Sequence, residues 1–187
     1  MSAAEALVSQ GGFRNAGIAQ VAERAGIAVG TVYRYFQSKG ELFSEVFRVA
    51  TQREVDRVEL ALQREGTASE RLEAALRLFA GRALRGSTMA WALIAEPVDP
   101  QVDAERLHYR RAYAELFERT LRTGMESGEF RQQDAALSSA AIVGAIAEAL
   151  VGPLSPTNRE KTVDHDAQIS AITQFCLMAV KEGGDRT

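Results

Sequence analysis

Gly26 is the residue that most narrows how this chain can fold. It separates two short runs with helical periodicity, residues 18–25 and 29–36, and only residues 26–28 are left to turn the chain between them. A glycine supplies the left-handed backbone that ends a helix abruptly. So short a turn sends the second helix across the first at a steep angle, the spacing of a helix-turn-helix. Ala22 is small where the two helices would cross, and Val21, Ile27 and Val32 offer the apolar contacts to hold them.

The rest of the chain continues the helical theme, with almost no strand alternation. Breaks at Gly11-Gly12, Gly66, Gly86-Ser87, Pro97 to Pro100, Gly128 and Pro153 to Pro156 divide it into about nine helices. Ser38 is the expected cap of a long fourth helix, Ser69 with Glu70 opens the fifth, Asp134 caps the eighth, and Asp164 or Asp166 starts the last. The expected fold is all-α. A three-helix domain covers residues 1–47, and a larger helical domain covers residues 48–187.

The second helix of the motif spends three aromatic residues in four positions, in a chain that is only 7% aromatic. Residues 33, 35 and 36 cannot share one helix face. Val32 and Phe36, four apart, are expected to point inward. Val29 and Gly30 lie at the exposed N-terminal end, and Thr31, Tyr33, Arg34 and Tyr35 fall on other faces. Such residues suit DNA: Arg34 can donate two bonds to guanine, Thr31 or Val29 can meet a thymine methyl, and tyrosine hydroxyls can bond phosphate. Lys39 adds charge at the start of the fourth helix.

The segment VAERAGIAVGTVYRYFQSKGELF, within a match over residues 13–47, resembles the DNA-binding domain of the TetR family of transcriptional regulators. GMESGEFRQQDA at 124–135 is similar to the turn joining two C-terminal helices in many members. The resemblance implies a homodimer whose N-terminal helices bind a palindromic double-stranded DNA operator and whose body binds a small-molecule inducer. It places Thr31, Tyr33, Arg34, Tyr35 and Lys39 at DNA-contacting positions. Three departures stand out. The first helix begins almost at Met1, so either the start is truncated or the contacts of a basic arm do not exist; Ala16-Gly17 replaces a threonine or serine; and Ala28 replaces a serine cap. Each missing cap costs ~1 kcal/mol.

Composition narrows the function further. The net charge of −3 is uneven: residues 1–48 carry five basic against four acidic side chains, and the remainder is net acidic. The longest apolar-rich stretch, residues 135–154, is interrupted by Ser138, Ser139, Gly144 and Glu148, so no membrane span is expected. With one cysteine and no export pattern, a reducing cytoplasm is the simplest compartment. His108 and His165 lack metal-ligand spacing, no acid, base and nucleophile converge, and neither metal, cofactor nor enzymatic activity is expected.

In the body, Phe79, Met89, Trp91, Ile94, Tyr109, Tyr113 and Phe117 are candidates to line an apolar ligand cavity, with Arg82, Glu96 and His108 as its polar groups. The small-residue eighth helix (Ala140, Gly144, Ala147) and the stripe Ile169, Ile172, Phe175 and Cys176 are candidates for a four-helix dimer interface. The expected function is a ligand-responsive repressor released by a small apolar or aromatic inducer. The alternative is a helical small-molecule binding protein with a weakened DNA-binding head.

Overall fold

The computed structural model describes residues 1–158 and 164–181. Residues 159–163 and 182–187 of the second expected domain lie outside the described residues. Among the described residues there are nine α-helices: α1 (Ser2–Gly11), α2 (Ile18–Ala25), α3 (Val29–Tyr35), α4 (Lys39–Leu62), α5 (Ala68–Arg85), α6 (Ser87–Ile94), α7 (Pro100–Glu126), α8 (Ala135–Leu154) and α9 (His165–Val180). A 3-10 turn, Pro156–Asn158, follows α8.

Gly26 adopts the left-handed conformation at φ 67°, and its N–H closes on the carbonyls of α2. The head packs α1 against α2 and α4, and α2 against α3. Its centre is Phe13, edge-on to Phe43 at 5.8 Å and stacked on Phe47 at 6.2 Å. Val21, Ala22 and Val32 are buried there, whereas Ile27, expected in the same contact, is 45% exposed. The tight corner swings Ile27 outward, and Phe36 is half-buried at the edge of the core.

α4 runs unbroken through the expected boundary at 47/48, so one helix belongs to both head and body. In the body α4 packs on α7 and α5, α7 on α8, and α5 on α9. Some helix ends differ from the sequence reading. Thr67, not Ser69, caps α5, because Thr67 and Glu70 form a reciprocal capping box. α8 continues through Pro153 to Leu154, where a loop was expected. At 20 residues α8 is also long and apolar enough to cross a membrane by length and composition, contrary to the sequence reading; in this fold it packs on α5, α6, α7 and α9.

Candidate functional site

α3 is short, with Ala28 at its N-cap and no side chain closing its first turn. At the start of α2, Gln20 Oε1 accepts the Gly17 N–H at 2.9 Å and takes over part of the missing cap. The outer surface of α3 presents Tyr35 (73% exposed), Tyr33 and Val29, with Gly30 and Arg34 also exposed and Thr31 half-buried. Val32 alone of this helix is buried. Lys39 is exposed at the start of α4, its Nζ 5.6 Å from the centre of the Phe43 ring. The proposed DNA-facing residues are thus exposed except for half-buried Thr31, and Val32 is the residue that ties α3 to the core.

A cavity of about 330 Å³ lies between α4, α5, α6, α7 and α8. Phe79, Arg82, Met89, Ile94, Tyr109 and Tyr113 line it, joined by Phe47, Ala50, Val58 and Leu93. Phe79 meets Tyr113 edge-on at 5.1 Å. Trp91, His108 and Phe117, expected in the lining, are not part of it. Phe117 is buried in the core one turn beyond Tyr113, Trp91 packs half-buried against the core, and His108 is exposed with its ring against Tyr109. The four-residue repeat of 109, 113 and 117 is real, but the cavity stops short of its third ring.

The polar wall is mostly arginine. Arg82 pairs with both carboxylate oxygens of Glu54, which raises the pKa of its guanidinium, and Arg57 also bonds Glu54 at 2.8 Å. Arg53 pairs with Glu5 of α1. Tyr109 directs its hydroxyl away from the cavity, 3.1 Å from the Arg48 carbonyl and 3.2 Å from Gln52 Oε1. Burial pushes the Tyr113 hydroxyl far above its ordinary pKa, so it stays a neutral donor. No hydrogen bond ties it down among the described residues.

Glu96 does not line the cavity. It lies 4% exposed beneath the head, where Oε2 accepts the Phe13 N–H at 2.8 Å and Oε1 the Arg14 N–H at 3.0 Å. Arg106 reaches up from α7 to the end of α6, donating to the carbonyls of Leu93 at 3.0 Å, Ala92 at 3.2 Å and Glu96 at 2.7 Å. Arg106 also borders the cavity. Cavity, α6 end and head are thus joined by two side chains. The sequence reading missed Arg106; its only local signal is an arginine in the second turn of α7, soon after a proline-bounded helix end.

The dimer candidates divide in two. Ala140, Gly144 and Phe175 are exposed and Ile172 is half-buried, while Ala147, Ile169 and Cys176 are already buried within the protomer. Ala147 faces the cavity, and burial pushes the Cys176 thiol up to about 11. The exposed apolar face instead gains Leu137 (69%) and Met178 (70%) beside Phe175 (65%). Both fit the same helical spacing, one turn from Ala140 and from Phe175.

A helix-turn-helix head carried on a helical body with its own cavity is the build of a ligand-binding transcription regulator. Residues 1–46 match the family model described as bacterial regulatory proteins, tetR family, and residues 65–151 match a tetracyclin repressor-like C-terminal domain. The chain belongs to the TetR family of transcriptional regulators. It is 25% identical over 153 residues to the fatty acid metabolism regulator protein of Bacillus subtilis (strain 168), covering 79% of this chain and 78% of that protein. The fold is shared with FadR of Bacillus subtilis in complex with stearoyl-CoA, at TM-score 0.80 and 21% identity, over 94% of this chain and 95% of that one. A Saccharomonospora viridis protein crystallised with choline superposes at TM-score 0.78 and 22% identity, over 97% and 95% of the two chains.

Proposed function

We propose that this regulator is a repressor that binds a palindromic operator as a homodimer and is released when an acyl ligand fills the body cavity. The observation that carries the reading is the position of the cavity. Its walls include α4, which continues into the head, and α6, which packs on α1 and holds the α1–α2 link through Glu96. A ligand there acts on the helix that continues into the head and on the α1–α2 link, and so on α2, against which the recognition helix packs. An apolar lining suits a hydrocarbon chain, and the similarity to a fatty acid metabolism regulator and to a stearoyl-CoA-bound fold supports the acyl class.

The mechanism is a two-state linkage. In the operator-bound state the two α3 helices enter successive major grooves about 34–36 Å apart. Ligand releases DNA only in so far as it binds the state with another spacing more tightly. On DNA, Arg34 reads base edges, while Tyr33, Tyr35 and Lys39 hold phosphates.

Electrophoretic titration of the neighbouring promoter DNA tests this. A sequence-specific complex at moderate salt, dissolved by a long-chain acyl-CoA, is expected; a complex indifferent to sequence would overturn the reading. Arg34→Ala is expected to relax sequence preference. Lys39→Ala should weaken binding to every sequence and lower the salt slope by about one.

A further inference from the structure

The shared fold does not settle the charge of a ligand, since relatives of this shape hold a choline cation in one case and an anionic acyl thioester in another. The charge must be read from this cavity's own side chains. Five arginines border it, Arg53, Arg57, Arg82, Arg106 and Arg110, against two acids, Glu5 and Glu54. Both acids are taken: Glu54 by Arg82 and Arg57, and Glu5 by Arg53. Arg106 spends its donors on α6 carbonyls and on Asp103, which stands outside the cavity and is half exposed. Arg110, one turn further along α7, is exposed and makes no hydrogen bond or ion pair among the described residues.

Arg106 and Arg110 are also close enough to oppose each other's charge. Burial first, and Arg110 among the lesser causes, lower the pKa of Arg106. Two like charges beside an apolar, weakly screening hollow create a field that an anion relieves. We propose that Arg110, backed by the fixed charge of Arg106, is the seat for the negative head of an amphiphilic anion whose apolar chain enters the cavity. This rests on the reading of the cavity as the regulatory ligand site. The size agrees: about 330 Å³ lies at the small end of ligand pockets, so a bulky head remains outside, where Arg110 is. A guanidinium suits either possible head, gripping a carboxylate or a phosphate through paired N–H donors.

Calorimetric titration of the full chain, without DNA, separates the cases. The probes are dodecanoyl-CoA, dodecanoate, neutral methyl dodecanoate and cationic dodecyltrimethylammonium. Arg110→Ala is expected to weaken at least one anion about tenfold and leave the methyl ester unchanged, with Arg110→Lys recovering most of the loss. The anion affected identifies the source of the charge, phosphate for the CoA thioester alone and carboxylate for the free acid. Anion affinities untouched by Arg110→Ala, an equal loss for the neutral ester, or tighter binding of the cation would each overturn the anion seat and leave the acyl-released repressor standing. Failure of all four probes to bind the wild-type chain would remove both.

Discussion

At the scale of single residues, Glu96 connects parts of the chain that no local pattern links. Its carboxylate accepts two backbone N–H groups from residues 83 and 82 positions upstream. Gly12 makes the approach possible: it sits at φ 77°, and a Cβ there would fall 2.6 Å from Glu96 Oε2. Glu96→Gln keeps the size but turns an amide N–H₂ toward one of these donors. Leaving a buried N–H without an acceptor costs roughly 1–3 kcal/mol. The expected result is an unfolding free energy, from urea titration, lowered by about that amount, with Glu96→Ala losing more; an unchanged value would show that the head is held by α1–α4 packing alone. In the sequence, Glu96 reads only as a polar residue at the end of an apolar helix, and so as a cavity group. Its partners are peptide N–H groups, which every residue but proline carries, so nothing in the side-chain pattern marks them.

At the scale of elements, the beginning of α5 shows how a helix start can be over-determined. Thr67 Oγ1 accepts the Glu70 N–H at 3.1 Å, and Glu70 Oε2 accepts the Thr67 N–H at 2.9 Å. Glu129, from the turn after α7, then accepts Ala68 N at 3.1 Å and Ser69 N at 2.9 Å. These bonds, the Ser69 N–H foremost, hold the Glu129 carboxyl below its ordinary range. A depressed carboxylate pKa means that the unfolded chain binds more protons in acid, so the stabilisation is complete above the ordinary carboxylate pKa and disappears as pH falls through the folded value. Glu129→Gln is therefore expected to cost about 1 kcal/mol near neutral pH. The gap from wild type should close as the pH falls below the folded value in denaturation series; a gap that persists in acid would show that the charge is not the cause. The Thr67-x-x-Glu70 pattern is visible in the sequence, yet Ser69-Glu70 is an equally plausible start when Glu129 is not known to face it. Helix existence was legible throughout because amphipathic spacing is a local property; cap registers were not, wherever the deciding acceptor came from another element.

At the scale of the whole molecule, α8 accounts for its own composition. A helix apolar on every side is buried on every side, yet only 39% of its most apolar window is buried within the protomer. One face, with Val143 and Ala147, closes the body cavity. Leu137, Ala140 and Gly144 lie exposed, as do Phe175 and Met178 on α9, the helix that packs against α8. A second copy is the occupant that the proposed dimer supplies. Phe175→Glu is expected to convert dimer to monomer by sedimentation velocity at micromolar concentration, since a central aromatic at such a contact is worth ~2 kcal/mol or more. Operator binding should fall in parallel, and an undiminished dimer mass would move the interface elsewhere. The sequence reading named α8 and α9 for the interface, but it mixed exposed residues with buried ones. Ala147, Ile169 and Cys176 belong to the protomer's interior, because a small or apolar residue looks the same to a cavity, a core and a partner.

Gly30 is the second residue of α3, where a glycine is a poorer helix former than alanine. Its φ is not positive, and a Cβ built on it would meet nothing within 4 Å. Neither handedness nor crowding inside the molecule asks for this residue, so the free protein would be more stable with alanine. The missing side chain leaves clearance on the surface proposed to meet DNA. If α3 meets the operator as proposed, Gly30 sets how closely the helix can draw its own backbone to it, at a small permanent loss of stability.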